Sequence, residues 1–260
     1  MILLILKGII IGFFMLFPGL SGGSVAIILD EYDKMIFHTS RIFKNFKNSL
    51  NYLFFIGFGG VIGLVISSKI IGYFTNNFYN ETIYFFLGIM LVFIIEFIQK
   101  NTNKKINTFN LLYLGIGITV SVLIKFIPEN IFLLNSFFSM MIFGILLAIA
   151  LILPGISFSY ILMIFSCYDL FINAISNYDL LFLIKVGIFL IFGIAVTIKT
   201  IEKCLTNYET KTNFLISGFM IGSFVSFIKI PKDITEINIM VVFLMTGILF
   251  FLIFGKIVKK

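Results

Sequence analysis

The sequence predicts an all-α polytopic membrane protein made of two inverted repeats, each a broken helical hairpin followed by three transmembrane helices. Three observations predict this fold. Hydrophobic residues make up 60% of the chain and charged residues 12%, a balance typical of membrane proteins. A Pro-Gly pair interrupts an apolar run twice, at Pro18-Gly19 and at Pro154-Gly155. The residues around the two pairs are similar, which indicates an internal duplication.

The first hairpin is predicted at residues 2–37. Its first limb, 2–17, would reach about 24 Å as a helix, which is short of a hydrocarbon core of roughly 30 Å. Proline and glycine then stop the helix, and acidic residues follow the apolar return limb. We therefore expect a re-entrant hairpin, although two full spans would return to the same side as well. Transmembrane spans are predicted at 52–74, 82–98 and 107–127.

The second half of the chain repeats this plan. A shift of 136 positions aligns Gly8 with Gly144, Pro18 with Pro154 and Ser21 with Ser157, and a shift of 130 aligns Lys69 with Lys199. The predicted repeats are 1–128 and 129–260, the second with a hairpin at 137–173 and spans at 180–200, 212–228 and 237–257. A hairpin and three spans make an odd number of crossings, so the two copies lie upside down relative to one another.

The net charge of +7 does not predict nucleic-acid binding, because the basic residues are spread between apolar segments and do not collect on one face. They predict orientation instead. With the N-terminus in the cytoplasm, eleven basic residues fall in cytoplasmic loops: Arg41, Lys44, Lys47, Lys100, Lys104, Lys105, Lys203, Lys211, Lys256, Lys259 and Lys260. The opposite loops hold Lys229 and Lys232 beside several acids. The positive-inside rule therefore places both termini in the cytoplasm.

Two cysteines, Cys167 and Cys204, and one histidine, His38, form neither a disulfide framework nor a metal-binding pattern. No metal and no cofactor are expected. The N-terminal apolar run lacks a basic leader and a small-residue cleavage site, so we interpret it as the first structural segment and not as a signal peptide.

The two breaks are the predicted anion site. A half-helix that begins near the membrane midplane presents unpaired backbone N–H groups and the positive end of its dipole. Serine hydroxyls add donors, and glycine lets an anion approach the backbone. The residues predicted to bind an anion are Pro18, Gly19, Ser21, Gly22, Gly23 and Ser24 in the first hairpin and Pro154, Gly155, Ser157, Ser159 and Tyr160 in the second. The structural alternative is that Pro-Gly makes a kink and that the serines bond back to the helix.

Several charged residues have predicted roles near these breaks. Lys69 and Lys199 lie toward the ends of equivalent spans, where they either counter an anion in turn or snorkel to the interface. The acidic candidates for coupling or gating are Asp30, Glu31, Asp33, Glu96 and Asp169. Asp33 and Asp169 follow equivalent tyrosines, so we expect them to cap the hairpin mouths, to form salt bridges or to accept a coupling proton. The coupling ion, a proton or sodium, is left open.

Two sets of motifs carry a family resemblance. FPGLSGGS at residues 17–24 is followed by ILDEY at 28–32, and LPGISFS at 153–159 is followed by Tyr168. With them the whole chain resembles the bacterial polyprenyl-phosphate transporter family. The resemblance implies an inner-membrane protein that moves undecaprenyl phosphate, the lipid carrier of cell-wall synthesis, from the outer to the cytoplasmic leaflet. Its partners would be this lipid and the membrane lipids. Phe158 stands where the family pattern leads us to expect glycine, which predicts a less close phosphate approach there.

Two other functions are compatible with parts of the sequence. Undecaprenyl-diphosphate phosphatase also has duplicated hairpins, and its Pro-Gly-x-Ser-Arg-Ser-Gly motif resembles residues 154–160. Here Phe158 replaces the arginine, so transition-state charge on phosphorus would lack its clamp. An ion or small-solute channel would need a polar pore stripe, which we do not find. The transporter is therefore the expected function, an enzyme is not expected, and the oligomeric state is open.

Overall fold

The computed structural model describes residues 1–17, 21–102, 107–124, 126–127, 136–228, 231 and 233–258. Outside the described residues lie two predicted site residues, Pro18 and Gly19, the repeat boundary at 128/129, and the loop lysines Lys104, Lys105, Lys229, Lys232, Lys259 and Lys260. The described residues form twelve α-helices and no strand. The helices are α1 (Ile2–Met15), α2 (Gly22–Ile28), α3 (Tyr32–Ser40), α4 (Phe46–Asn77), α5 (Tyr79–Thr102), α6 (Thr108–Ile124), α7 (Phe137–Ile152), α8 (Phe158–Ile164), α9 (Tyr168–Ser176), α10 (Leu180–Asn207), α11 (Glu209–Phe227) and α12 (Ile234–Val258).

Four of these helices are long and apolar enough to cross a bilayer. The four candidate spans are Phe46–Ile71, Tyr79–Lys100, Leu180–Asn207 and Ile234–Ile253. The helix α11 has 19 residues but is not among them, because its first turns are polar and include Glu209, Lys211 and Asn213. The predicted all-α polytopic membrane fold is confirmed.

Both hairpins are interrupted twice, whereas the sequence predicts one break in each. Besides the Pro-Gly break, the return limb turns at Asp30 and at Ser166, which adopt φ values of 54° and 53°. The next N–H group reaches back five residues in each hairpin, from Glu31 to the Ala26 carbonyl at 2.9 Å and from Cys167 to that of Leu162 at 2.8 Å. This is a Schellman-type helix end in which the left-handed position is not glycine. At the second of these turns α8 and α9 are bent by 116°.

Glycines hold the first limb of each hairpin against a spanning helix. A Cβ atom at Gly12 would overlap the Gly60 carbonyl in α4, and one at Gly144 would overlap the Phe189 carbonyl in α10. Small residues allow such approach in membranes, where packing drives helix association. The helix α1 therefore packs along α4, and α7 packs along α10.

The two halves interlock in the middle of the molecule. The helix α6 packs along α11, α12 packs along α5, and α5 and α11 contact each other. Gly117 lies against Leu215 while Ser121 lies against Gly222, so α6 and α11 run parallel. The start of α5 and the end of α11 line one cavity, so these two helices run antiparallel. They are counterparts under the 130-residue shift, and opposite directions are what an inverted duplication predicts.

Candidate functional site

The start of α2, which follows the first Pro-Gly pair, meets the second break inside the protein. A Cβ atom at Gly23, in the first turn of α2, would lie 2.8 Å from the Ile152 carbonyl oxygen and 3.3 Å from the Pro154 nitrogen. Gly155 adopts a φ of 92°, and a Cβ there would lie 2.6 Å from the backbone nitrogen of Met220 in α11. The start of α2 and the second break are therefore packed against protein and do not face lipid.

A serine begins the helix that follows each break. Ser21 Oγ accepts a hydrogen bond from the Ser24 N–H at 3.1 Å, and Ser157 Oγ accepts one from the Tyr160 N–H at 3.4 Å. Each is an N-cap in extended conformation. A second hydroxyl lies beside each cap, Ser24 Oγ at 2.9 Å and Ser159 Oγ at 2.7 Å. An N-cap oxygen acts as acceptor, so its own proton can be donated to this neighbouring hydroxyl or to a bound anion.

A cavity of about 230 Å³ leads from one end of the bundle to the second break. We call it the serine cavity. Its polar lining residues are Tyr79, Ser121, Ser157, Tyr160, Ser223 and Ser226. Of the break serines, Ser157 lines this cavity, whereas Ser21, Ser24 and Ser159 are buried and line neither this cavity nor the one described next. The other lining residues of the serine cavity are apolar: Ile83, Ile124, Ile156, Met163, Phe227 and Ile228. In this conformation the second break is thus approached by a largely apolar cavity that carries hydroxyl groups.

Two of the lining serines are residues that sequence reasoning missed. Ser121 of α6 lies 3.0 Å from Ser223 of α11, Oγ to Oγ, and Ser223 donates to the carbonyl of Gly155. These hydrogen bonds satisfy the Gly155 carbonyl, which the break frees, and connect the hairpin tip to α6 and α11. A signal was available for Ser121, which shares a helix face with Gly117 four residues earlier, because small residues on one face mark a close helix contact. Ser223 directly follows Gly222 and carried no such signal.

A second cavity, of about 350 Å³, lies at the other end of α5 and α11. We call it the acidic cavity. It is lined by Asp30, Tyr32, Asp33, Lys100, Glu209 and Asn213, together with Ile27, Phe97, Leu205 and Ile216. The two cavities are counterparts, because the 130-residue shift takes Phe97 to Phe227 of the serine cavity and Ile83 of the serine cavity to Asn213. Glu96, which is half-buried, lines a neighbouring cavity with Asp30 and Lys100.

The structure does not bring the two predicted lysines to the break serines. Lys69 and Lys199 are both exposed. The Lys69 ammonium lies 5.8 Å from the centre of the Tyr178 ring. Neither lysine lines the serine cavity or the acidic cavity. Their countercharge role stays a prediction, and their exposure is also what snorkelling predicts.

Glu31 is the buried member of the acidic candidates. Its carboxylate accepts hydrogen bonds from Lys7 Nζ at 2.6 Å, Lys34 Nζ at 3.0 Å and the Tyr52 hydroxyl at 2.7 Å. Burial raises the pKa of Glu31, but the bonds from these three partners lower it by more, so the net pKa lies below the ordinary value. Lys7 also donates to the Leu29 carbonyl at 3.0 Å. The cluster joins α1, α3 and α4, and sequence reasoning missed Lys7.

The three aspartates are exposed. Asp30 pairs with Lys100 at 3.7 Å, with both side chains 72% exposed, so this pair contributes little to stability. Asp33 and Asp169 lie in the first turns of α3 and α9, where a negative charge interacts favourably with the helix dipole. Coupling through any of them stays a prediction.

Phe158 does not obstruct the serine cavity. Its side chain is fully buried in the hydrophobic core, and its ring centre lies 5.8 Å from that of Phe171. It is not among the residues that line the cavity beside Ser157. The side chain that departs from the family pattern therefore points into the core. It does not block the cavity through which a phosphate would approach Ser157.

Comparisons with known proteins agree with one another. The family model described as VCA0040-like, undecaprenyl phosphate translocase-like, matches residues 11–241. A polyprenyl-phosphate transporter of Staphylococcus aureus (strain NCTC 8325 / PS 47) is 30% identical over 274 residues, which cover 98% of this chain and 96% of that protein. No solved structure gives a significant match.

Proposed function

The chain belongs to the undecaprenyl phosphate translocase-like family, and from this premise we propose that it carries a polyprenyl phosphate across the cytoplasmic membrane, from the outer to the inner leaflet. A prenyl tail is at home in lipid and can stay outside the protein. The phosphate cannot enter hydrocarbon without losing hydration worth roughly tens of kcal/mol. The protein has to supply the phosphate with a polar path.

The observation that carries this proposal is the serine cavity, which runs from one end of the bundle to Ser157, in the break that packs against the start of α2. We propose that the phosphate enters this cavity and accepts a hydrogen bond from Ser157. Ser121, Ser223 and Tyr160 hold the cavity wall and the hairpin tip in place. The prenyl tail remains in the bilayer beside the cavity mouth.

The orientation of the chain in the membrane determines which face the serine cavity opens to. The positive-inside rule places the N-terminus in the cytoplasm, so that α5 begins at the outer face and ends at the inner face. The span Tyr79–Lys100 has 22 residues and is about 33 Å long, so the two cavities at its ends lie near opposite membrane faces. In this proposal the serine cavity opens outward and receives the lipid, and the acidic cavity faces the cytoplasm.

We propose that transport proceeds by alternating access of the two inverted repeats. The serine cavity reaches Ser157 of the second break, whereas Ser21 and Ser24 of the first line neither the serine cavity nor the acidic cavity. In the opposite conformation the first break would take the place of the second, so the phosphate would be handed from Ser157 to Ser21 and released inward. The acidic lining of the inner cavity would repel the phosphate and favour its release.

Coupling is proposed to involve a carboxylate that changes partners during this exchange. Glu31 is the strongest candidate, because its carboxylate is 3% exposed and pairs with Lys7, so a change of partner would alter its charge environment most. Glu31→Gln is expected to keep lipid binding while transport loses its dependence on a proton or sodium gradient. A gradient dependence equal to the wild type in this variant would remove Glu31 from coupling.

The experiment that tests the function uses the purified protein in vesicles with a labelled polyprenyl phosphate in one leaflet. Its arrival in the other leaflet is followed with a phosphatase that cannot cross the membrane, and inorganic phosphate is measured before the phosphatase is added. We expect transfer without phosphate release. Phosphate release by the protein itself would indicate a phosphatase, and ion conductance without lipid transfer would indicate a channel.

The site is tested in the same vesicles with Ser157→Ala. A hydrogen bond to a charged group contributes about 1.5–3 kcal/mol, so transfer at limiting lipid should fall at least about tenfold. The matched control is Ser217→Ala, since Ser217 is also buried but bonds to the Asn213 carbonyl within α11. Equal rates in the two variants would remove Ser157 from the phosphate site.

A further inference from the structure

Two tyrosines occupy equivalent places in the hairpins but differ in their bonding. The 136-residue shift takes Tyr32, at the start of α3, to Tyr168, at the start of α9. The Tyr168 hydroxyl donates to the carbonyl of Leu16, at the end of α1, over 3.3 Å. The Tyr32 hydroxyl is buried and has no hydrogen-bond partner among the described residues. The residue as a whole is 8% exposed, so the missing partner is not replaced by bulk water.

The acceptor that symmetry assigns to Tyr32 is the carbonyl of Ile152. The same shift takes Leu16 to Ile152, the last residue of α7 before its break. Within the described part of the chain no hydrogen bond to this carbonyl is found. Tyr32 and Ile152 belong to the same hydrophobic cluster, so donor and acceptor lie in one packed region. The bond from Tyr168 to Leu16 joins the second hairpin to the first, and its counterpart, from Tyr32 of the first hairpin to Ile152 of the second, is not made.

Buried hydroxyls and carbonyls in folded proteins are nearly always hydrogen-bonded. An unused donor and an unused acceptor within one hydrophobic cluster are thus expected to be used in another conformation. Inverted repeats supply that conformation, because exchanging the shapes of the two copies converts each bond of one copy into its counterpart in the other. The exchange would break the Tyr168–Leu16 bond and make a Tyr32–Ile152 bond.

We propose that Tyr32 and Tyr168 are alternating latches of the two hairpins. The Tyr168 hydroxyl on the Leu16 carbonyl holds the conformation in which the serine cavity reaches Ser157. The Tyr32 hydroxyl on the Ile152 carbonyl holds the opposite one. This inference rests on the alternating access of the proposed function, but it concerns the balance between the two conformations and not the identity of the cargo.

The test measures that balance without any lipid substrate. In a background with Cys167→Ala and Cys204→Ala, a cysteine is placed at Ile83 of the serine cavity or at its counterpart Asn213 of the acidic cavity. The ratio of the labelling rates at the two sites, measured with a water-soluble maleimide in vesicles, reports the balance. Each tyrosine is then changed to phenylalanine, which keeps the ring and removes the hydroxyl.

Loss of one hydrogen bond changes a two-state ratio by about threefold to tenfold. The ratio of labelling at Ile83→Cys to labelling at Asn213→Cys should fall by this factor in Tyr168→Phe and rise by it in Tyr32→Phe. The variant with both changes should return close to the starting value. Tyr178→Phe, at a tyrosine that is 60% exposed, is the control and should leave the ratio unchanged.

A ratio that keeps its wild-type value in either single variant, or that moves in the same direction in both, overturns the latch proposal. Such a result leaves the proposed function standing if the wild type still transfers the labelled lipid. Conversely, the labelling ratio could shift in opposite directions in the two variants while the protein transfers no polyprenyl phosphate. That result would support the latches and reject polyprenyl phosphate as the substrate. The two proposals therefore fail by different measurements.

Discussion

The meeting of the two breaks predicts a sharp difference between two neighbouring glycines. At Gly23 an added Cβ would lie 2.8 Å from the Ile152 carbonyl oxygen and 3.3 Å from the Pro154 nitrogen, both backbone atoms that cannot rotate away. At Gly22 the nearest atoms are side-chain atoms at 3.5–3.7 Å, which is ordinary contact. Gly23→Ala should therefore force the hairpin tips apart, whereas Gly22→Ala should be accommodated.

The magnitude follows from two opposing effects. Alanine in place of glycine favours a helix by up to about 1 kcal/mol, and this gain is shared by both variants because both positions lie in the first turn of α2. Overpacking against backbone opposes it by about 1–3 kcal/mol, and only at Gly23. We expect Gly23→Ala to be less stable than Gly22→Ala by about 1–3 kcal/mol.

The assay is thermal unfolding of both purified variants in one detergent, combined with lipid transfer in vesicles. Gly23→Ala should show a lower unfolding midpoint and slower transfer than Gly22→Ala. Identical midpoints and transfer rates for the two alanine variants would refute the reasoning, because the first break would then not be packed against the second.

Two further variants test the contacts around the site. Ser223→Ala removes the bond to the Gly155 carbonyl and should lower stability by about 1–3 kcal/mol, measured as the unfolding midpoint, whereas Ser217→Ala should change it by less than about 0.5 kcal/mol; similar effects would mean that the tip is not held by Ser223. Lys7→Met removes the closest partner of the Glu31 carboxylate, which is 3% exposed, and should lower stability by about 1–3 kcal/mol. The loss is smaller than that expected for a fully buried ion pair because Lys7 itself is 21% exposed. Lys34→Met, at a lysine that is 59% exposed, should lower it by less than about 1 kcal/mol, and the reverse order would contradict the assigned importance of Lys7.

The breaks at Pro18 and Pro154 were predictable because proline and glycine act locally, whatever surrounds them. The membrane fold was predictable for a similar reason, since the apolar content of the helices is a property of the sequence alone. The second turn in each hairpin was not, because neither Asp30 nor Ser166 is glycine, the residue that most often marks a positive φ. Tertiary packing places them there.

The site was predicted in part. Ser157 follows directly from the motif, and it does line a cavity. Ser121 and Ser223 come from helices that are distant in sequence from the break, and only the interlocking of α6 and α11 brings them to it. The Tyr168 bond to Leu16 joins residues 152 positions apart, a distance over which residue spacing carries no information.

The most direct test of the account is whether a polyprenyl phosphate protects the serine cavity. With Ile156→Cys as the only thiol, next to Ser157 and within the cavity lining, labelling in vesicles should slow when polyprenyl phosphate is added. Polyprenol and inorganic phosphate should not give this protection. As a second control, Asn213→Cys in the acidic cavity should be labelled at the same rate with and without polyprenyl phosphate while the protein is in the outward conformation. Equal labelling of Ile156→Cys with and without polyprenyl phosphate, at concentrations that the protein transports, would contradict the proposed phosphate site.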